Sequence, residues 1–259
     1  MKSRHLRNVF FCAVVGAVAM TMAPWLTAAA PTPPKVSEFA PVEDVLGQVD
    51  YYLNRLEAAL ANEAEYSQGK KNRVNKDSNT LVVLLLAIGL HDQDSKLRAA
   101  APTLLPLAQK LAALADDYSQ AKQAFDELQA TSEQGATGGQ PLKWEKVAKL
   151  GQLMKQVPTI NNRLKRSLRK SKFEKDAAKS AGYAAALAAI AQAAMADTHE
   201  VKNPDDTQKW YDFCTTMRDA AGQINSAVRA QDFDTATAAM ERMQTNCDDC
   251  HAVFREEEM

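Results

Sequence analysis

The sequence predicts an all-α protein made of two tandem up-down four-helix bundles, and three observations support this class. Aromatic residues make up only 7% of the 259 residues, and alanine is abundant. Apolar residues recur every three or four positions, which places them on one face of a helix. A glycine-rich stretch with Pro141 separates four such segments from four more.

The elements follow in order along the chain. The first half, residues 42–132, is predicted to hold four helices, at about 42–66, 77–92, 95–115 and 117–132. A linker at 133–142 follows, and the second bundle then covers 143–256. Its four helices are predicted at about 143–170, 174–197, 205–229 and 232–255. Asn203-Pro204-Asp205 is a typical helix start, with proline early and acids in the first turn.

The last helices of the two halves resemble each other. DDYSQAKQAFDELQATSEQGA at 116–136 aligns without a gap on QDFDTATAAMERMQTNCDDCH at 231–251. This alignment favours a duplication in which the first half is a degenerate repeat. The alternative is that any two amphipathic helices align this well.

The N-terminus has the features of an export signal. A basic segment with Lys2, Arg4 and Arg7 precedes an apolar core and small residues. Because Pro31 disfavours cleavage after Ala30, residues 1–29 are the predicted signal peptide and the periplasm is the predicted location. An uncleaved anchor is the alternative. A proline-rich, extended leader at 30–41 is expected next, and no later segment is long enough to span a membrane.

Charge and composition exclude several classes. The net charge is −1, so nothing favours a nucleic-acid partner. Three cysteines remain after signal cleavage, and an odd number argues against a disulfide framework. No nucleophile, paired acid–base site or substrate motif is visible, so the sequence does not predict an enzyme.

The motif that carries chemistry is CDDCH at 247–251. Cys-x-x-Cys-His is the attachment signal for c-type haem. On a helix, Cys247, Cys250 and His251 share one face, so two thioether links and one iron ligand can come from that face. An apolar stripe runs into the motif, formed by Phe233, Ala236, Met240, Met243, Cys247, Cys250 and Phe254. The sequence therefore predicts one covalent haem c on the second bundle.

Three other uses of these residues stay open. Zinc needs a fourth ligand, for which His199 and Cys214 are the remaining soft candidates. A thioredoxin-like redox pair belongs near a βαβ pattern, which this sequence lacks. A plain disulfide between Cys247 and Cys250 is the simplest alternative.

Beyond the motif, CDDCHAVFR at 247–255 resembles the last helix of class II c-type cytochromes, the cytochrome c′ group and its low-spin relatives. The resemblance covers about residues 142–256. It implies a four-helix bundle with Cys-x-x-Cys-His near its end, with Phe254 and Arg255 in family positions beside the haem. The first half lacks the motif and resembles only the fold.

The sixth iron ligand decides the expected function. The resemblance implies that this ligand comes from early in the first helix of the bundle, where Met154 lies on the apolar stripe. Met154 could also simply fill the core, and Met195 and Met217 are rivals. A methionine ligand predicts a one-electron carrier with redox-partner proteins. An open iron predicts a sensor or scavenger of NO or CO, and a structural haem predicts an interaction module or homodimer.

Positive charge is concentrated at the end of the same helix. Five cations lie within eight residues there: Arg163, Lys165, Arg166, Arg169 and Lys170. Haem propionates need such partners, but a solvated basic face is the simpler interpretation.

Overall fold

The computed structural model describes residues 29–135 and 137–255, and within them the chain is helical with no strand. Eight long helices are present in this part: α1 Val42–Ala59, α2 Lys71–Gly89, α3 Lys96–Leu114, α4 Tyr118–Glu133, α5 Leu150–Ser167, α6 Ala177–Ala194, α7 Thr207–Arg229 and α8 Phe233–Phe254. The all-α prediction is therefore confirmed. The predicted signal peptide falls on residues 1–28 and Ala29, so nearly all of it lies outside the described residues.

Three helix boundaries differ from the prediction by six or seven residues, and one of them is the start of the second helix, at Lys71 rather than near 77. The first helix ends at Ala59 rather than near 66, because Asn62 caps a new turn by accepting a hydrogen bond from the Glu65 amide. Gly69, with a φ of 131°, then bends the chain before α2. The fifth helix begins at Leu150 rather than near 143.

Residues 137–149 are extended because their backbone makes tertiary contacts instead of helical ones. The side chain of Gln109 donates to the Val147 carbonyl at 3.0 Å, and Asn79 Oδ1 accepts from the Lys149 amide at 2.8 Å. Gly139 has a φ of 99° and lies against the Pro102 backbone, so only glycine fits there. Residues 138–149, which include the end of the predicted linker, therefore lie along α2 and α3.

One apolar core runs through both halves of the chain. Helix α2 of the first half packs against α5 and α6 of the second, and α1 also packs against α6. Residues 77–88 of α2 and 184–194 of α6 are buried on every side, as expected of helices at the centre of a fold. The two predicted halves therefore share their interior.

A buried polar cluster joins the halves at this interface. Asp77 is fully buried on α2 and accepts two hydrogen bonds from Arg55 of α1, at 2.8 and 3.2 Å. The Gln156 amide of α5 donates to Asp77 at 3.2 Å and to the Tyr52 hydroxyl at 2.8 Å. These hydrogen bonds link α5 to α1 and α2 inside the core, while Gln156 Oε1 is buried without a hydrogen-bond partner among the described residues.

The segment before α1 is also part of the core, so the prediction of an extended leader is wrong for residues 36–40. A short 3₁₀ turn spans Val36–Glu38, and Phe39 is buried against Gly222 of α7. His91 Nε2 lies 3.0 Å from the Ala40 carbonyl and Asp92 accepts from Ser37, which hold this segment in place. The sequence pattern of prolines did not reveal these contacts.

Within residues 29–135 and 137–255, none of the helices combines the length and the apolar character needed to cross a bilayer.

Candidate functional site

The candidate site lies in the last two turns of α8. Asp232 starts this helix by accepting a hydrogen bond from the Thr235 amide at 3.0 Å, a standard N-cap. In α4, Asp117 caps the helix in the same way through the Gln120 amide. The two caps occupy aligned positions of the proposed repeat. The helix continues to Phe254, so the whole motif is helical.

Cys247 and Cys250 are free thiols, half-buried on one face of α8. Three residues of helix separate them by about 4.5 Å along the axis. Burial, with Cys247 as a smaller contribution, raises the pKa of the Cys250 thiol to about 11. Burial and then Asp248 raise the pKa of Cys247, while Lys165 lowers it. Both groups are therefore protonated thiols at neutral pH, unlike the thiolates of a redox pair.

His251 is exposed, and its ring nitrogens have no hydrogen-bond partner among the described residues. It follows Cys250 by one position, so it lies about 100° further around the helix, towards the edge of the apolar face. Asp248 and Asp249 are exposed, as expected. The imidazole of His251 is thus free to act as a ligand. It lies at the edge of the helix face that carries Cys247 and Cys250 and not at the centre of that face.

A second apolar cluster, the end cluster, surrounds Cys250. Its buried members are Leu150, Ala194, Met195, Trp210, Tyr211, Cys214 and Phe254, with Met154, Val201, Phe213 and Cys250 packed at its margin. These residues come from the start of α5, the end of α6, the start of α7 and the end of α8. The four helices of the second half therefore run alternately in opposite directions, and the motif lies where their ends meet.

Helices α5 and α8 are bridged by side chains at this end of the fold. Among the described residues, they are not one of the helix pairs in close backbone contact. Gln244 of α8 accepts from Asn161 at 3.2 Å and from Lys165 at 2.7 Å. Further along, Met154 of α5 packs at the margin of both apolar clusters, whereas Cys247 packs only against the main core and Cys250 only against the end cluster.

Met154 is the best-placed methionine for an axial role. It is half-buried, and none of the hydrogen bonds in the described part of the chain uses its sulfur. Met195 is buried in the end cluster, and its sulfur accepts a weak hydrogen bond from Gln192 at 3.8 Å. Met217 is in the main core rather than the end cluster. Met154 thus lies at the margin of the end cluster with a sulfur that no described residue engages, and its role as an iron ligand stays a prediction.

The two family positions after the motif have different surroundings. Phe254 is buried and packs edge-on against Trp210, with ring centroids 5.2 Å apart, and against Phe213 at 6.2 Å. Arg255 is exposed beyond the end of α8, and its backbone amide donates to the His251 carbonyl at 3.1 Å. Phe254 therefore packs the end of α8 into the end cluster, whereas Arg255 is exposed to solvent just after the helix.

Some residues of the site were not singled out from the sequence. Leu150, which was expected on the same apolar stripe as Met154, lines the end cluster, and so does Tyr211, which did not stand out because it is one of many apolar positions in its helix. Cys214, named above as a candidate zinc ligand, is buried. Its proximity to Cys250 is new: burial and then Cys250 raise the pKa of the Cys214 thiol. The sequence could not show that Cys214 of α7 lies near Cys250 of α8, because this depends on the directions in which the two helices run.

The alternatives for the cysteines can be compared with this geometry. No three His, Cys, Asp or Glu side chains of the described residues come together in a way that could hold a metal ion. His199 lies 2.7 Å from Asp197 and 3.0 Å from Glu200, so its ring nitrogens are already engaged. Two thiols on one helix face, a free imidazole and a nearby thioether match the donor set of a haem c better than that of zinc.

Comparison with protein-family models, with curated proteins and with solved structures finds no match to this chain. The resemblance to class II cytochromes therefore rests on the motif, its position in the last helix and the order of the helices.

Proposed function

We propose that this protein is an exported mono-haem c-type cytochrome that carries single electrons between redox-partner proteins. The second of two tandem four-helix bundles would hold the haem, and the first would be a haem-free repeat. The observation that carries the proposal is the Cys247-x-x-Cys250-His251 motif at the end of α8, beside the start of α5. Haem c, when bound, supplies an iron centre that changes by one electron.

Each residue of the candidate site would have a separate role in holding the haem. Cys247 and Cys250 supply the thiols for the two covalent links, and His251 supplies an imidazole nitrogen to the iron. Met154 supplies a thioether sulfur from the opposite helix. The end cluster excludes water, and such burial together with a methionine ligand raises a reduction potential. Export is proposed from the sequence of residues 1–30.

Covalent attachment is the decisive test. The full chain would be expressed with a cytochrome c maturation system and then treated with acidified organic solvent. This treatment extracts haem that is not covalently bound. We expect the haem to stay on the wild-type protein and to be lost from the Cys247→Ser/Cys250→Ser variant. Cys214→Ser is the matched control, because Cys214 is a buried thiol in the same cluster but outside the motif. It should keep its haem.

Wild-type protein without covalent haem would contradict the proposal. Zinc binding or a disulfide would then be the better explanation of the two cysteines. Loss of haem from Cys214→Ser alone would show that the motif is not the attachment site.

A further inference from the structure

A third thiol lies beside the motif, and it belongs to the neighbouring helix. Cys214 of α7 is buried in the end cluster, and Cys250 packs at the margin of the same cluster. Cys247 packs against the main core instead. Of the two motif cysteines, Cys250 is therefore the one that shares its surroundings with Cys214.

The register of α7 against α8 places Cys214 opposite Cys250. The two helices are joined by residues 230–232 alone, so they run antiparallel, and they pack closely. The rings of Trp210 and Phe254 lie 5.2 Å apart across this interface. Cys214 follows Trp210 by four residues and lies one turn along the same face of α7. Cys250 precedes Phe254 by four residues on α8. Because the helices run in opposite directions, these two steps lead the same way, and the two thiols face each other.

The helices also approach closely at this level. Asn246 of α8 donates through its short side chain to the Phe213 backbone carbonyl at 3.0 Å. Phe213 directly precedes Cys214, and Asn246 lies about one turn before Cys250. A disulfide needs Cα atoms about 4.4–6.8 Å apart, and a gap that an asparagine side chain spans is of this order.

A disulfide within the motif fits the helix less well. Cys247 and Cys250 are three residues apart in a helix that continues to Phe254. Side chains at this spacing have Cβ atoms about 5–6 Å apart, whereas a disulfide needs Cβ atoms about 3.5–4.5 Å apart. Closing that bond would distort α8, so Cys214 is the better partner for Cys250.

We propose that Cys214 and Cys250 form a disulfide in the chain that has not yet received haem, and that this bond withholds Cys250 from haem attachment. The second part rests on the proposed function. In the oxidation, the two thiols give up two hydrogens to a disulfide oxidant, which becomes two thiols. Attachment instead adds a thiol S–H across a vinyl group of haem, with no oxidation. A sulfur held in a disulfide has no hydrogen to add, so a thiol reductant must first open the bond.

Peptide mapping of the full chain, expressed without a maturation system, tests the disulfide. Cys12→Ala is introduced throughout, so that three cysteines remain: Cys214, Cys247 and Cys250. The chain is refolded in a mixture of reduced and oxidised glutathione, and its free thiols are alkylated. Trypsin and a protease that cleaves before aspartate then separate the two motif cysteines, because two aspartates lie between them. We expect the fragment with Cys214 to be linked to the fragment with Cys250, and Cys247 to be alkylated.

Cys247→Ser is the matched control for this mapping, because it removes the other motif thiol. It should keep the disulfide, whereas Cys214→Ser should lose it. Circular dichroism checks that each variant is helical. A disulfide between Cys247 and Cys250 in the wild-type motif, or alkylation of all three thiols, would overturn the proposal.

Haem attachment is the second measurement, made with the maturation system present. When oxidised glutathione is added to the medium, the wild-type chain should lose covalent haem, whereas Cys214→Ser should keep it. A thiol reductant should remove this difference. Equal loss of haem in the two proteins would overturn the withholding role. A wild-type chain that forms the disulfide but takes no covalent haem even with reductant would overturn the proposed function and leave the disulfide supported.

Discussion

At the scale of single residues, Met154 connects the two apolar clusters of the second half. It packs against the main core and against the end cluster, whereas Met195 accepts a weak hydrogen bond from Gln192 through its sulfur. The sequence alone indicated that Met154 lies on an apolar stripe. It could not show that α5 and α8 approach each other through side chains here, because that depends on how α6 and α7 separate them.

We expect Met154→Leu to remove the methionine-to-iron charge-transfer band from the oxidised holoprotein and to let carbon monoxide bind the reduced protein. Leucine has nearly the same volume but no sulfur to coordinate iron. The reduction potential should fall, within the range of about 0.8 V that axial ligands span. Optical spectra and a redox titration measure these changes.

Met195→Leu is the control for this prediction and should leave the spectrum unchanged. If the reduced Met195→Leu protein binds carbon monoxide and the reduced Met154→Leu protein does not, the assignment of Met154 as the sixth iron ligand is wrong. If wild-type protein already binds carbon monoxide, the gas-binding alternative replaces electron transfer.

At the scale of elements, the sequence predicted all eight helices but not all of their boundaries. Periodicity located each helix because every one of them buries an apolar face. It failed where the backbone serves tertiary contacts, as at Lys149, whose amide is bonded to Asn79 rather than within a longer helix. It also missed residues 36–40, because a short turn that packs on distant helices has no periodic pattern.

Substitution of two glycines tests whether residues 36–40 pack against α7. Gly47 in α1 has open space around it, whereas a Cβ at Gly222 in α7 would lie 3.0 Å from Phe39 Cα. Gly47→Ala should raise the free energy of unfolding by about 0.5–1 kcal/mol through helix propensity. Gly222→Ala gains the same propensity but should be net destabilising, by about 1 kcal/mol, because Phe39 is held by the contacts of Ala40 and Ser37.

Urea unfolding of the two alanine variants measures both effects. Equal stabilisation by the two substitutions would show that the N-terminal segment does not pack against α7 in solution.

At the scale of the whole molecule, the two halves should behave as one cooperative unit. Asp77 accepts hydrogen bonds from both halves, so Asp77→Ala leaves Arg55 without its carboxylate and removes one of the two acceptors of the Gln156 amide. We expect a loss of about 3 kcal/mol in a single unfolding transition. Asp50→Ala, at an exposed position of α1, should change stability by less than about 0.5 kcal/mol.

Tryptophan fluorescence and circular dichroism during urea unfolding measure these changes. Trp25 lies in the predicted signal peptide, and Trp144→Phe is introduced into every variant, so that the fluorescence reports Trp210 in the end cluster. Circular dichroism reports all helices. Two separated transitions, or a transition of Trp210 that Asp77→Ala does not shift, would show that the halves unfold independently.

The hydrogen bond from the Lys149 amide to Asn79 has a consequence for the first half. A side chain of that half fixes where α5 begins, one turn before Met154. By thermodynamic linkage, any ligand that binds only when α5 is in place must also stabilise the helix that holds its start. Amides of α2, in a half with no haem motif, should therefore exchange with deuterium more slowly once haem is attached.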